Sequence, residues 1–248
     1  MTILITNDDG IFAPALHRLR EELAQFGRVV IVAPDRDQSA TSHSLTLHRP
    51  FRIRSHGHDS YSVDGTPTDC VVTAYYGLLE EAPGMVISGI NHGPNMGEDV
   101  FYSGTVAAAI EGTLQGAPSI AVSLVTRERT DFAEPARFVA RLVHRVLERG
   151  LPRRQLLNVN IPHRPWDEIG GVQITRLGSR VYRDTLVKKV DPRGRDYYWI
   201  GGEDPVWVSE PGTDFNAVSE GRISVTPMRL DLTDERALVD MDAWKLEK

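Results

Sequence analysis

The sequence predicts an α/β fold: a Rossmann-like, mostly parallel sheet flanked by helices, with a β-rich C-terminal extension used in oligomerisation. In residues 1–162, short apolar runs alternate with stretches of helical spacing, which is typical of βαβ units. After residue 162, short strand-like pieces are separated by glycine, proline and charged residues. We therefore expect an α/β catalytic core, residues 1–162, and an extension, residues 163–248. The extension either forms its own domain or packs on the core.

The first elements follow from apolar runs and the residues that end them. Residues 2–6 are an apolar run and predict a strand. Residues 14–26 predict a helix, because leucines recur at spacings of three and four, Pro14 suits the first turn and Gly27 suits the end. Residues 29–33 predict the second strand, which a proline ends.

The remaining core elements are predicted in the same way. A weak alternation of apolar and polar residues in 45–63 indicates a hairpin or an excursion at the sheet edge. The later elements alternate regularly between helix and strand. They are helix 68–79, strand 85–88, helix 105–115, strand 119–124, helix 135–149 and strand 156–161.

The extension is predicted from shorter signals. Strand-like pieces lie at residues 172–177, 197–200 and 223–226. Residues 187–200 look like a hairpin with charged residues at its turn and three aromatic residues beyond it. A lone arm that exposes these rings would be a poor monomer surface, so we expect them to be buried elsewhere.

Length and composition restrict the class of protein. The chain has 248 residues, a formal charge of −6 and 41% hydrophobic residues, which is ordinary for a globular protein with a large core. Cys70 is the only cysteine, which excludes an intrachain disulfide and a single-chain thiolate metal cage. The apolar runs are far shorter than the roughly 20 residues that span a bilayer. We expect a cytoplasmic protein with no membrane partner, and the acidic balance argues against a nucleic-acid polymer.

Two adjacent carboxylates follow the first strand, in Asn7-Asp8-Asp9-Gly10. Parallel sheets bind ligands where the loops at the carboxyl ends of their strands meet. Like charges this close raise a pKa or hold a cation, and oxygen donors favour Mg²⁺, Mn²⁺ or Ca²⁺. A turn with a helix cap would explain the same residues, so the pair alone leaves both interpretations open.

Two further polar loops are expected at the same edge of the sheet. Residues 34–44 carry both charge signs and several hydroxyls, and taken alone they are typical of a solvated loop. Residues 88–99 hold glycines and asparagines, which allow close backbone approach to a ligand and offer carbonyl donors to a hard cation. We expect the second loop to be functional, against the alternative of a turn-rich surface connector.

Tyr102-Ser103-Gly104-Thr105 stands at the predicted start of an alanine-rich helix. Free N–H groups, hydroxyls and the positive end of the helix dipole could together bind phosphate there. A plain helix cap is the alternative. A cation site beside a phosphate site would be suited to phosphoryl hydrolysis.

Other enzyme motifs are absent from the sequence. No G-x-G-x-x-G follows the first strand, and the chain has no P-loop, H-E-x-x-H or G-x-S-x-G motif. The eight histidines lack the spacing of a metal site, although His43 and His92 lie in the candidate loops.

Several segments together resemble the stationary-phase survival protein E (SurE) family of nucleotidases. The resemblance extends over nearly the whole chain but leaves out the last 20 residues. The matching segments are residues 5–10 (ITNDDG), 33–44 (APDRDQSATSHS), 65–70 (GTPTDC), 88–95 (SGINHGPN), 102–112 (YSGTVAAAIEG), 158–162 (NVNIP), 191–201 (DPRGRDYYWIG) and 213–226.

The resemblance implies a metal-dependent phosphatase that acts on nucleoside 5′- and 3′-monophosphates, with exopolyphosphatase activity as a side reaction. It implies one divalent cation per subunit, Mg²⁺, Mn²⁺ or Ca²⁺. The implied metal ligands are Asp8, Asp9, Ser39 and Asn91, and we expect Asp8, Asp9 and Asn91 to be catalytic as well.

Two further expectations accompany this assignment. We assign phosphate binding to Asn95, Ser103, Gly104 and Thr105. The resemblance also implies a homodimer or homotetramer, in which the hairpin of residues 187–200 reaches a neighbouring subunit.

A receiver-type signalling domain is the alternative from another functional class, because it also carries an acidic pair after its first strand. It needs a phospho-accepting aspartate after the third strand, where Ser88-Gly89-Ile90-Asn91 has none, and it is about half as long. A dehalogenase-type phosphatase needs D-x-D, whereas Asp8 and Asp9 are adjacent. We therefore expect attack by a metal-activated water; whether an aspartate is the general base or only a ligand stays open.

Overall fold

The computed structural model describes residues 1–126, 128, 130–181, 184–202 and 206–245. Thirteen strands occur within these residues. They are β1 (Thr2–Thr6), β2 (Arg28–Pro34), β3 (Ile53–Gly57), β4 (Ser60–Val63), β5 (Met85–His92), β6 (Ser119–Val125), β7 (Gln155–Pro162), β8 (Val172–Ile174), β9 (Arg180–Val181), β10 (Asp184–Val190), β11 (Asp196–Gly202), β12 (Val206–Trp207) and β13 (Ile223–Arg229).

Six α-helices connect or follow these strands. They are α1 (Pro14–Leu23), α2 (Pro67–Thr73), α3 (Gly104–Leu114), α4 (Ala133–Arg149), α5 (Asp214–Ser219) and α6 (Glu235–Asp242). A 3₁₀ turn follows α1, and a wider π turn follows α2. The predicted helices of the core are therefore confirmed to within a few residues at their ends.

Nine strands form the central sheet, in the order β3-β4-β2-β1-β5-β6-β7-β13-β8. The six neighbours from β4 to β7 all pair in parallel, while β3 and β13 pair antiparallel with β4 and β7. The predicted α/β fold class is confirmed. Because the chain leaves β1 toward β2 on one side and later returns to β5 on the other, the loops after β1 and β5 diverge and leave a crevice between them.

The alternation of side chains along each strand divides the core into two faces. On β1, Ile3 and Ile5 pack with leucines of α1 and valines of α4 on one face, whereas Leu4 packs with residues of α2 and α3 on the other. All three side chains are fully buried. The parallel strands are therefore covered on both faces, which explains their nearly continuous apolar sequence.

Helix α3 lies unusually close to the sheet because its side chains are small. A Cβ atom added at Gly112 would lie only 2.7 Å from Val86 Cβ and from Ser119 Oγ. Ala107, Ala108 and other small residues complete the buried surface of the helix. The close approach brings the N-terminus of α3 to the crevice beside β1.

The third core strand is longer than predicted. Strand β5 runs to His92 instead of ending at Ser88, so Asn91 lies at the end of a strand and not in a loop. Pairing with β6 is interrupted after Ser88 and resumes at Asn91 with a shifted register, and Gly89 at φ +132° occupies the irregularity. The sequence does not reveal this continuation, because Gly89 and Asn91 give it the composition of a turn.

The extension is joined to the core by backbone pairing. Strand β13 pairs with β7, and β8 pairs with β13, so strands from both sides of residue 162 share one sheet. The division at residue 162 stays a prediction. Strands β10 and β11 form a separate antiparallel hairpin over the residues predicted for it, and α6 follows at the C-terminal end.

No helix in the described part of the chain is both long enough and apolar enough to cross a membrane.

We predict that Gly112→Val lowers the free energy of unfolding by about 1–3 kcal/mol, because the added methyl groups must displace α3 from β5 and β6. Urea unfolding followed by circular dichroism measures this change. Gly77→Val is the control, since the nearest neighbour of a Cβ there is Thr73 Cγ2 at 3.9 Å. Equal stability losses in the two variants would contradict the close packing of α3.

Candidate functional site

The carboxyl ends of β1 and β5 form the candidate site, where the order of the strands reverses. A buried turn directly after β1 sets its geometry. Asn7 Nδ2 donates to Gly10 O at 3.1 Å, and Gly10 N donates to Asn7 Oδ1 at 3.2 Å. Gly10 adopts φ +98°, which favours glycine over other residues. The turn holds Asp8 and Asp9 at its tip.

Asp8 is bound to the first turn of α3. Thr105 Oγ1 donates to Asp8 Oδ1 at 2.5 Å, and Thr105 N donates to Asp8 Oδ2 at 3.1 Å. Burial raises the pKa of the Asp8 carboxyl above its usual value, and the hydrogen bonds from Thr105 only partly offset that effect. A Cβ at Gly104 would lie 3.0 Å from Asp8 Oδ2, so the absence of a side chain there allows the helix to approach.

Asp9 lies beside Asp8 and contacts the end of β5. The amide of His92 points at Asp9 Oδ2 over 3.4 Å. Burial, followed by the negative charge of Asp8, raises the pKa of Asp9 to about 6. No Lys or Arg of the described residues forms an ion pair with Asp8 or Asp9. Within the described part of the chain, no cationic side chain therefore neutralises the carboxylate pair.

Ser39 is held in the loop after β2 by an aspartate that sequence reasoning did not single out. Its backbone N and its hydroxyl both donate to Asp37 Oδ1, at 2.7 and 2.6 Å. The backbone N–H of the neighbouring Gln38 donates to Asp8 O at 2.8 Å, which joins the loop after β2 to the loop after β1. The charge of Asp37 further raises the pKa of both Asp8 and Asp9. In the sequence, Asp37 could have been noticed only because it lies in residues 33–44, a segment that carries the family resemblance.

Asn91 completes the predicted set of ligands from the third strand. Its Nδ2 donates to Gly93 O at 2.9 Å, and Asn91 Oδ1 accepts no hydrogen bond from the described residues. That carbonyl oxygen remains available to a cation. In the part of the chain that the structure describes, no three His, Cys, Asp or Glu side chains form a metal-binding group. A cation here would depend on two carboxylates and neutral oxygens.

The residues assigned to phosphate have partners of their own. Ser103 Oγ caps α3 by accepting from Val106 N at 3.1 Å, and Thr105 is engaged with Asp8. The amide of Gly104, at the N-terminus of α3, has no partner among the described residues. Among residues 102–105, the Gly104 amide is therefore the backbone N–H that is available to a ligand.

Asn95 is held by residues of β6 and β7. It is buried, and its Nδ2 donates to Ser123 Oγ at 2.8 Å. Its backbone is fixed by Asn158 and Asn160, whose side chains donate to Asn95 O at 2.8 and 2.9 Å. This network anchors the loop after β5. Phosphate binding by Asn95, Ser103, Gly104 and Thr105 stays a prediction.

Comparison with protein families assigns the chain on residues 3–184, which match the model described as Survival protein SurE. The chain belongs to the SurE family. The family resemblance seen in the sequence is thereby confirmed.

Relatives support the assignment over the full length. A protein of Geobacter sulfurreducens named 5′-nucleotidase SurE is 53% identical over 99% of this chain and 94% of its own length. One of Vibrio cholerae with the same name is 49% identical over 100% of this chain and 99% of its own. The crystal structure of the SurE protein from Aquifex aeolicus is 46% identical and superposes with a TM-score of 0.88, over 99% of this chain and 100% of that one.

We predict that the metal-free protein loses stability as pH rises from about 4 to about 6, and that Asp9→Asn reduces this loss. The folded carboxyl, with its raised pKa, binds a proton in this window that the unfolded chain has released. The loss of stability levels off about one unit above pH 6, where the folded carboxyl is ionised as well, and its full size is about 3 kcal/mol. Unfolding in urea between pH 4 and 8 in the presence of a chelator measures it.

Asp64→Asn is the matched control, because Arg49 lowers the pKa of the Asp64 carboxyl. Removal of this carboxyl therefore cannot reduce the loss of stability between pH 4 and 6. Identical pH profiles for wild type and Asp9→Asn would contradict the assigned burial of Asp9.

Proposed function

We propose that this protein is a metal-dependent 5′-nucleotidase, which hydrolyses nucleoside monophosphates to nucleoside and phosphate. The name shared by relatives about half identical to the whole chain confirms the predicted enzyme class. The observation that carries the metal-dependent mechanism is the adjacent pair of buried Asp8 and partly buried Asp9, which lacks a cationic partner among the described residues. Asp8 is bound to the N-terminus of α3.

The donor set fits a hard divalent cation. Both carboxylates have a raised pKa, so in the absence of a cation one of them would hold a proton near neutral pH more readily than a free aspartate does. We propose Asp8, Asp9, Ser39 Oγ and Asn91 Oδ1 as the ligands, with Mg²⁺, Mn²⁺ or Ca²⁺ as the cation. When bound, such a cation polarises the phosphoryl group and lowers the pKa of a bound water.

Other residues of the chain orient the two carboxylates and stabilise the charge of the phosphoryl group. Thr105 fixes the orientation of Asp8 through two hydrogen bonds, and the amide of His92 supports Asp9. The amide of Gly104 and the positive end of α3 would stabilise the charge on the phosphoryl oxygens. Asp8 therefore connects the proposed cation site and the proposed phosphate site.

The finer assignments extend this proposal. We include hydrolysis of both 5′- and 3′-monophosphates and a side activity on polyphosphate, because the resemblance to the SurE family implies these substrates. The single, buried Cys70 agrees with a cytoplasmic location.

The proposed assembly is a homodimer or homotetramer, built with the β10–β11 hairpin as an arm. The hairpin forms a two-stranded sheet of its own. Trp199 and Ile200 on β11 are 63% and 85% exposed, and Leu186 on β10 is 65% exposed. Exposed apolar side chains in this number are typical of a surface that a partner covers.

We predict that Asp8→Asn and Asp9→Asn each lower kcat/KM for nucleoside monophosphates at least about a hundredfold, because each removes one negative charge from the cation site. Phosphate release from 5′- and 3′-monophosphates and from polyphosphate is measured after chelation and re-addition of Mg²⁺, Mn²⁺ or Ca²⁺. Asp64→Asn serves as the surface control. Turnover that survives chelation, or near wild-type turnover in either variant at saturating metal, would contradict the proposed metal site.

We predict that Trp199→Ser combined with Ile200→Ser lowers the mass of the particle in solution, because it removes apolar surface from the arm. Light scattering measures the mass, and deletion of residues 187–200 should give the same result. Val172→Ser combined with Ile174→Ser is the control, since both residues are exposed on the edge strand β8 outside the hairpin. An unchanged mass after the deletion would exclude the arm from the assembly.

A further inference from the structure

Residues 35–48, which follow β2 and carry Ser39, form neither helix nor strand, and we call them the Ser39 loop. Ala40 and Ser42 within this loop have φ angles of +57° and +53°, in the left-handed region that costs free energy for residues other than glycine. A backbone of this kind persists only where other parts of the molecule hold it. The contacts that fix the Ser39 loop therefore decide where the Ser39 hydroxyl lies.

The backbone of the Ser39 loop is attached to the candidate site on both sides of Ser39. Before it, the backbone N–H of Gln38 donates to Asp8 O at 2.8 Å. After it, the backbone N–H of Ser42 donates to Tyr102 O at 3.0 Å. Tyr102 lies directly before the N-cap residue of α3. Ser39 is therefore held between the end of β1 and the start of α3.

The far end of the Ser39 loop is anchored to α2 by Asp69. This buried carboxylate accepts hydrogen bonds from Thr46 N at 2.9 Å and from Thr46 Oγ1 at 2.5 Å. Thr66, the N-cap residue of α2, donates its hydroxyl to Ser44 O at 2.8 Å. Residues 65–70, which carry the family resemblance but contribute no proposed ligand, thus fix the loop from the side of α2.

His43 lies between these attachments and joins the Ser39 loop to a later turn of α3. Its Nε2 donates to Glu111 Oε2 at 2.9 Å. Glu111 is 7% exposed, and its other carboxylate oxygen accepts from Gln115 Nε2 at 2.8 Å. The hydrogen bond from His43 is the largest of the effects that lower the pKa of Glu111 below its usual value. Because a charged acceptor strengthens a hydrogen bond, this pair restrains His43 more firmly than a neutral contact would.

We infer that Glu111 is a positioning residue of the proposed cation site, because it holds the Ser39 loop on α3 through His43. The inference rests on the proposed function, in which Ser39 Oγ is one of the ligands. Helix α3 then serves the site twice: Thr105 orients Asp8 at its first turn, and Glu111 fixes the loop about two turns farther along.

An ion pair that only stabilises the fold, or that acts only by its charge, predicts another result. Removal of the His43 ring leaves the negative charge of Glu111 without this partner. By charge alone, the change would leave the affinity for a cation unchanged or raise it. Loss of position predicts the opposite, because the Ser39 hydroxyl then leaves its place among the ligands. The direction of the change therefore separates the two roles.

The test is calorimetric titration of the chelated protein with Mn²⁺. His43→Ala should raise the dissociation constant for Mn²⁺ about tenfold, because residues that orient metal ligands contribute this much to affinity. His43→Gln should bind nearly as the wild type does, since its side-chain amide can donate to Glu111 in place of the imidazole. Thr113→Ala is the matched control: it removes a buried hydrogen bond to Ala109 O within α3 and should leave the dissociation constant unchanged.

Two further measurements locate the effect in the Ser39 loop. Ser39→Ala combined with His43→Ala should bind Mn²⁺ no more weakly than Ser39→Ala alone, because His43 acts through Ser39. In the metal-free protein, amide hydrogen exchange at residues 38–46 should be faster in His43→Ala than in the wild type, with no change in α4. The exchange measurement depends neither on metal nor on turnover.

Unchanged or tighter Mn²⁺ binding by His43→Ala would overturn the inference, as would additive losses in the double variant or unchanged exchange at residues 38–46. An equal loss of affinity in Thr113→Ala would also overturn it, because the effect would then come from the stability of α3. Absence of Mn²⁺ binding by the wild type would contradict the proposed cation site itself, and the inference with it.

Discussion

Two adjacent carboxylates at the end of the central strand, Asp8 buried and Asp9 partly buried, are the constraint on which the rest of this structure depends. Burial raises the pKa of Asp8 and Asp9, and the negative charge of Asp8 raises the pKa of Asp9 further. Such a pair is stable only if hydrogen-bond donors surround it and a cation or proton neutralises part of the charge. The turn closed by Asn7 and the donors on α3 and β5 supply the first requirement. The second requirement is the physical basis for the proposed metal.

The composition of α3 follows from the same constraint. For Thr105 to reach Asp8, the helix must begin against the end of β1, and a side chain at Gly104 would occupy that space. Farther along, Gly112 allows the helix to lie against β5 and β6. The helix therefore contributes the backbone of its first turn, the Thr105 hydroxyl and small residues that allow the close approach. Stability of the fold and geometry of the site depend on the same close packing.

Local sequence patterns predicted much of the fold, because strands and helices of the core have regular apolar spacing. The end of β5 was missed, since residues 88–92 have the composition of a turn and only pairing with β6 keeps them extended. Long-range contacts were not predictable: Thr105 and Asp8 are far apart in sequence, and nothing local indicates that Thr105 bonds a carboxylate. The same holds for Asn95, whose partners Asn158 and Asn160 come from β7. The site loops were found because strand ends converge, whereas the role of Ser39 came only from the family resemblance.

Proton release on cation binding is the most direct test of a cation held by Asp8 and Asp9, because it reports the charge state of these carboxyls. Calorimetric titration of the chelated protein with Mn²⁺ is carried out in buffers of different ionisation enthalpy across pH 5.5–8. With a pKa of Asp9 of about 6, we expect one cation per chain and release of about half a proton from this carboxyl at pH 6, falling toward zero by pH 8. Absence of binding, or binding with no proton release near pH 6, would contradict a cation held by Asp8 and Asp9.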